Sequence, residues 1–561
     1  MVFNISALIV LVFILPLFST TPKPNFLFIV VDDLRPALGC YGDTNAFTPN
    51  IDKLAEKSFL FTEVYAQQSL CAPSRNSLLT SRRPDTLSLY DVHSYWRSVA
   101  GNFTTLPQHL KNNGYKTHSI GKVFHPGKSS NFTDDYPYSW SQVPFHPVTD
   151  KYKNAPVCSS QFSIISNFID PELYSNLVCP VNIRDMPKNT LPDVENLESA
   201  KAFLKDQPEN VPFFLAVGFE KPHIPFKYPE RFLDYHPLDK FKLKNYYWPK
   251  NISEVAYNPW NDLRQRHDVQ QLNLVFPWEK IPEEFALKII QSYYACVSYI
   301  DHLIGLLLSQ LSDSKLHKHT IVILTSDHGW SLGEHGLWAK YSNFNVALRV
   351  PLIISTPKIF SKVSALKKMM KNGREESLKV HHLVELVDLF PSIAELAGIP
   401  IPLCNDINPM SINSTVSLQE RILNNNLCSE GISFLPILER IKKNETITWK
   451  KAAFSQYPRP STTVSWKPNS DEPRWNEIKI MGYSIKTARF RYTAWIPFNP
   501  MNKRNKSNWN ILIAEELYDH YIDSGEMINQ QGNIKYSGIK KKLCKRLKKG
   551  WKYALPPINV L

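Results

Sequence analysis

Short apolar runs punctuate the chain at Phe26 to Val31, Thr117 to Ile120, Phe213 to Phe219, Ile321 to Thr325 and Val350 to Ser355. They read as buried parallel strands. Between them lie stretches with an apolar repeat of three or four residues. The clearest runs from Pro282 to Leu311, where Ile290, Tyr294, Val297, Ile300, Ile304 and Leu307 share one helical face. A second predicted helix covers His382 to Ala397. Strands alternating with helices predict an α/β layered fold with a mostly parallel sheet. The pattern shifts between about Asn424 and Asn444. Beyond it come Pro-rich turns and short β-like runs, Tyr483 to Ile485 and Phe490 to Trp495. This predicts a large first domain over 22–435 and a smaller α+β domain over 436–561.

Four of the predicted strands end in residues that bind metals or move protons. The first ends at Asp32 and Asp33. The second is followed by Gly121, Lys122 and His125, the third by Lys221, Pro222 and His223, and the fourth by Asp327 and His328. Ligands in open α/β sheets bind beyond the carboxyl ends of the strands. A single Asp or His there is usually a cap or turn residue; four cases that converge are harder to explain that way. Adjacent carboxylates repel unless a cation bridges them. Oxygen-rich ligation of this kind suits a hard cation.

Residues 1–21 read as a signal peptide. The apolar run Ile5 to Phe18 is too short to span a bilayer comfortably and is followed by Ser19, Thr20 and Thr21. A signal anchor is the alternative, and no later segment reads as transmembrane. Asn-x-Ser/Thr triplets at Asn102, Asn131, Asn251, Asn413, Asn444 and Asn505 agree with secretion and glycosylation. In an oxidising compartment Cys158 and Cys179 could close one loop, and Cys404 and Cys428 another. With 561 residues, 43% of them hydrophobic, the chain can bury a large core and is not disordered in bulk. The net charge of +14 includes seven positive residues between Lys540 and Lys549. These form either a solvated tail or a patch for polyanions, such as sulfated glycans or an anionic membrane. Nucleic acid is not an expected partner.

One cysteine stands apart. Cys71-Ala72-Pro73-Ser74-Arg75, followed by Leu79-Thr80-Ser81-Arg82-Arg83-Pro84, resembles the signature of the type I, formylglycine-dependent sulfatases. An arbitrary cysteine is more often simply buried or disulfide-bonded. Ser81 departs from the glycine common at that place. The resemblance implies an alkaline-phosphatase-like sandwich, with a large mostly parallel sheet flanked by helices. It implies that a formylglycine-generating enzyme oxidises Cys71 in the endoplasmic reticulum. One hydroxyl of the aldehyde hydrate would attack sulfur and the other would then expel sulfate, splitting the hydrolysis into two easier steps. It assigns one divalent cation, Ca²⁺ before Mg²⁺, to Asp32, Asp33, Cys71, Asp327 and His328, although histidine is an uncommon Ca²⁺ ligand. Arg75 would stabilise the hydrate or its sulfate, and Lys122 and Lys340 would bind sulfate oxygens. His125 would take a proton from the hydrate, and His223 would protonate the leaving alcohol.

Within the family, the resemblance is strongest to members that remove the 2-O-sulfate of terminal iduronate from heparan and dermatan sulfate in lysosomes. It rests on Ser94-Tyr95-Trp96-Arg97, Gly121 to Gly127, Phe213 to Tyr228, Ser326 to Phe344 and Tyr457-Pro458-Arg459-Pro460. Trp330, Tyr341 and Arg459 are then candidates to line a basic substrate pocket. The segment Ser470-Asp471-Glu472-Pro473 departs, with an acid where a basic residue is expected. Three alternatives remain. A phosphoesterase of the same fold would use Ser or Thr with two metals, which Cys71 opposes. An unconverted Cys71 would leave a glycan-binding protein. A sulfatase could also take another sulfated sugar.

Overall fold

The computed structural model describes residues 23–159, 172–208, 211–357, 378–402, 427–443, 445–467, 470–502 and 506–556. The leader, Cys404, Asn413, Asn444 and Asn505 lie outside them. The main sheet has eight strands. Its order is Leu378–Val380, Phe59–Tyr65, Arg349–Ser355, Thr320–Ser326, Asn25–Val31, Phe213–Phe219 and Lys116–Gly121, and Val384–Glu385 also pairs with Phe59–Tyr65. Seven strands share one direction. Arg349–Ser355 runs against both of its neighbours, which corrects the parallel reading of Val350 to Ser355. An apolar run reports burial on both faces, and an interior strand has that in either direction. The link from Ser326 to Arg349 carries a loop, a small hairpin and one helical turn, Asn345–Leu348, in place of a crossover helix.

The central strand shows how the layers form. Phe26, Phe28 and Val30 face one buried cluster, and Leu27, Ile29 and Val31 face another. Period-two alternation with apolar residues on both sides demands cover on both faces. The helix Glu283–Asp313 covers one side, through residues such as Ile289, Ile300 and Leu307. It is long and apolar enough to cross a membrane by composition, yet here it packs into the core. The other face is covered by Cys71–Thr80 and Leu389–Leu396. The predicted helix over His382 to Ala397 therefore starts late. Val384–Glu385 is drawn into the sheet beside Val64 and Tyr65 before the helix can begin. Phe59–Tyr65 escaped the apolar pattern because Thr62 and Glu63 interrupt it.

A second sheet of four antiparallel strands follows: Ala453–Arg459, Ile480–Lys486, Phe490–Pro497 and Ala514–Asp519. The helix Ser537–Lys549 packs on it through Leu543 and Leu547. The first of these strands also locks onto the main body, where Ser455 Oγ donates to the Ala66 carbonyl (2.6 Å) and Gln456 N–H to the Gln67 carbonyl (2.8 Å).

Candidate active site

The strand ends deliver their side chains to one buried point. Asp32 and Asp33 follow the central strand, and Asp33 turns the chain with φ of 61°, a conformation Asp tolerates better than most residues. The Asp33 N–H donates to Asp327 Oδ1 (3.2 Å), which ties two strand ends together. Cys71 is the first residue of its helix and is buried. Around its Sγ lie Lys340 Nζ at 3.1 Å, His328 Nε2 at 3.3 Å, Asp32 Oδ1 at 3.5 Å and Lys122 Nζ at 3.8 Å. Lys122 reaches this point because residue 218 is glycine. A Cβ there would sit 2.1 Å from the Lys122 carbonyl oxygen.

Three cations meet three carboxylates. Lys122 pairs with Asp32 Oδ2 (2.5 Å), Lys340 with Asp33 Oδ1 (2.8 Å), and Arg75 with both Asp32 Oδ1 and Asp327 Oδ2 (2.9 Å each). The third guanidinium nitrogen of Arg75 donates to the Lys122 and Val123 carbonyls. Arg75 therefore holds the carboxylates in place with its donors already committed.

Burial pushes Asp32 up, but Lys122, Arg75, His223 and Lys340 together outweigh it and hold the group well below its ordinary value. Asp33 goes the other way. Burial, reinforced by Asp32 and Asp327, takes it to about 7 despite Lys340. Burial also lifts the Cys71 thiol to about 12, so an unmodified Cys71 is neutral.

The histidines have defined tautomers. His328 Nδ1–H donates to the Gly329 carbonyl (3.0 Å), which leaves the Nε2 lone pair facing Cys71 and Asp327. His223 Nδ1–H donates to the Ile224 carbonyl (2.7 Å), and Nε2 lies 4.0 Å from Asp33 Oδ2. Ser129 Oγ donates to the His125 carbonyl (3.1 Å), so Nδ1–H of His125 donates to Ser129 (3.0 Å) and Nε2 is its basic nitrogen. Burial and the nearby lysines hold His125 and His223 well below the ordinary imidazole range.

The donor set fits a cation. Asp33 Oδ2 is buried and has no hydrogen-bond partner among the described residues. Asp32, Cys71, Asp327 and His328 offer ligand atoms within 4.8 Å of one another, as do Asp33, Cys71 and His223. A buried carboxylate oxygen without a donor is costly unless something positive lies against it.

Residues 24–399 match the family model described as Sulfatase. The chain belongs to the sulfatase family. This sulfatase is 47% identical over 528 residues to iduronate 2-sulfatase of Homo sapiens, covering 90% of each chain. It is 46% identical over 523 residues to iduronate 2-sulfatase of Mus musculus, again covering 90% of each. A structure solved in complex with its substrate, D-glucosamine-2-N,6-O-disulfate, superposes with a TM-score of 0.62 at 21% identity, covering 94% of this chain and 97% of the other. That likeness is one of fold, and the fold of this sulfatase is alkaline-phosphatase-like.

The remaining predicted residues are placed as follows. Trp330 is fully buried, with Lys340 Nζ 5.7 Å from its ring, and its Nε1–H has no partner among the described residues. The Tyr341 hydroxyl donates to Asp262 Oδ2 (2.8 Å). Arg459 donates to the carbonyls of Val255, Pro458, Ala256 and Tyr341, so its donors tie loops together. Ser81 caps the Cys71 helix at φ of 53°, where glycine is favoured. Its hydroxyl compensates through Val387 O and Ser429 Oγ. Cys158 and Cys179 are disulfide-bonded, and Cys428 is disulfide-bonded as well. Asn102, Asn131 and Asn251 are exposed. Sequence reasoning missed Ser129, Asp262 and Tyr293, whose hydroxyl donates to the Asp33 carbonyl (2.8 Å). Asp262 and Tyr293 reach the site through space, while Ser129 lies four residues after His125 in a segment with no regular period to mark it.

Proposed function

We propose that this sulfatase removes the 2-O-sulfate of terminal iduronate in heparan and dermatan sulfate. The observation that carries the substrate is the 46–47% identity to iduronate 2-sulfatases, spread over 90% of the chain. The convergence of Lys122, Lys340, Asp32 and His328 on Cys71 Sγ supports the chemistry.

As formylglycine, residue 71 would supply an oxygen nucleophile toward sulfur and a second hydroxyl through which sulfate leaves. Asp32, Asp33, residue 71, Asp327 and His328 Nε2 would hold one divalent cation, Ca²⁺ on the oxygen-rich donor set, which would polarise a sulfate oxygen. The two lysine ammonium groups bind the remaining sulfate oxygens. Arg75 positions Asp32 and Asp327. His125 Nε2 accepts the proton of the second hydroxyl, and Ser129 fixes its ring. His223 gives a proton to the leaving alcohol oxygen, because an alkoxide leaves poorly. His223 takes that proton from solvent as the anionic substrate binds, because the substrate's charge opposes the burial and the field of Lys153, Lys122 and Lys340 that keep it neutral.

Oxidation of Cys71 requires a formylglycine-generating enzyme in the secretory pathway. The disulfides and the exposed sequons Asn102, Asn131 and Asn251 suit that route and delivery to lysosomes. The test is sulfate release from a disaccharide with 2-O-sulfated iduronate at its non-reducing end, beside one bearing only a glucosamine 6-O-sulfate. Release from the first alone supports the proposal, and release from the second alone defeats it.

One position bears on the substrate. Glu472 is driven up to about 7 by burial against the pull of Lys340, with Asp262 adding to the push. Below that pH it is uncharged and does not repel a uronate carboxylate; only above it would its charge favour a neutral sulfated sugar.

A further inference from the structure

We infer that the C-terminal helix carries a second binding site, apart from the active centre, for the sulfated body of the glycan whose end the enzyme processes. The helix Ser537–Lys549 contains seven positive side chains and no acid. Leu543 and Leu547 anchor one face on Met481, Ile485 and Leu517 of the second sheet. That fixes what the other faces present. Lys541, Lys545, Lys548 and Lys549 fall at i, i+4, i+7 and i+8, which brings them to one side of the helix. All four are exposed, and they line a cleft of ≈ 430 Å³. Among the described residues, the ion pair of Lys540 with Glu515 (2.5 Å) is the one such pair this helix makes.

Like charges at this spacing cost helix stability, and a bound polyanion relieves that repulsion. From Lys541 to Lys549 the lysine face runs about 12 Å at ~1.5 Å per residue, so it matches an extended chain better than a single sugar. Lys548 also lines a neighbouring cavity of ≈ 210 Å³, shared with Trp509, Trp551 and Tyr483. Aromatic faces beside ammonium groups suit pyranose rings bearing sulfates. A helix built for a lipid surface would turn its apolar face outward; here Leu543 and Leu547 are spent inside the protein.

The inference rests on the proposed substrate class only for the identity of the polyanion. Its test uses the full chain with C71A, which cannot turn over, on immobilised heparin under a salt gradient. The variant K541E/K545E/K548E/K549E should elute at much lower salt and bind a heparin oligosaccharide about tenfold or more weakly. A control, K53E/K57E/K242E/K244E, should elute with the parent. The glutamine version of the first set guards against misfolding and should shift in the same direction. With Cys71 intact, the same variant should keep kcat/KM on a disaccharide and lose it on long chains. Unchanged elution of the lysine variants, or an equal fall in the control, overturns the site. Equal retention on phosphatidylserine vesicles, lost in the same variant, overturns the glycan assignment. If the lysine variants shift but the parent sulfatase never cleaves the disaccharide, this site stands and the proposed function falls.

Discussion

Two of the buried charge clusters in this protein are built from the same kinds of residue to opposite ends. Around Glu385 and Asp388, Arg83 and Lys450 supply the cations, and every carboxylate oxygen has donors. Glu385 accepts from Arg83, Lys450 and the Phe454 N–H. Asp388 accepts from Lys450, the Ile432 N–H and the Glu385 N–H. Around Cys71 the numbers of Asp, Lys and Arg also balance, yet Asp33 Oδ2 is left bare and His328 sits at 3.4 Å from Asp33 Oδ1 and 3.5 Å from Asp327 Oδ2, longer than good hydrogen bonds. Within each cluster the acidities split. Burial alone would raise Glu385, but Arg83 and Lys450 hold it at about 2, while burial raises Asp388; Asp32 is held low, and Asp33 is driven to about 7. The first network joins the second sheet to the main one with its carboxylates satisfied; the second leaves one carboxylate oxygen without a donor among the described residues, as the proposed cation site needs.

The largest expected effect separates the two clusters. Cys71→Ala should lower sulfate release on the order of 10⁴-fold or more while leaving the unfolding midpoint nearly unchanged. Lys450→Met should do the reverse. It strands Glu385 and Asp388 and should cost about 3–5 kcal/mol in urea unfolding, with the kcat of the folded fraction retained. A loss of turnover in that variant with no loss of stability would dissolve the distinction. Lys122→Ala or Lys340→Ala should reduce kcat by about 10²–10³-fold.

The pH dependence sharpens the contrast further. Glu385 is held at about 2, below its ordinary 4.5, so its contribution is complete above 4.5 and fades as the pH falls toward 2. Glu385→Gln should flatten that acid limb of stability. Asp33 must lose its proton to bind a cation, so affinity for Ca²⁺ in chelator-treated protein should tighten as the pH rises toward 7. Calorimetry at several pH values reads this directly, and pH-independent affinity would contradict it. The smallest effect belongs to Ser81→Gly. Relief at φ of 53° and loss of the hydroxyl bonds oppose each other, and stability should change by less than about 1 kcal/mol.

The same comparison shows what was legible in the chain. Asp32, Asp33, Lys122, His125, Asp327 and His328 could be read because strand ends put them in sequence order beside apolar runs. The Glu385–Asp388 cluster could not, because it lies where a helical period is overruled by pairing with Val64 and Tyr65. The direction of Arg349–Ser355 was hidden for a related reason, since burial looks alike from both ends. Arg75 was legible as a cation beside Cys71, but only geometry shows its donors committed to Asp32, Asp327 and main-chain oxygens. For the basic run at 540–549, composition left a tail and a patch equally open; Leu543 and Leu547 pin it as an ordered helix.

The central claim is that residue 71 becomes the nucleophile as formylglycine. The most direct measurement is the mass of the tryptic peptide containing Cys71, from protein made in a secretory host. The thiol in that peptide should have become an aldehyde, with sulfate-releasing activity proportional to the converted fraction. An intact thiol in active protein would contradict it.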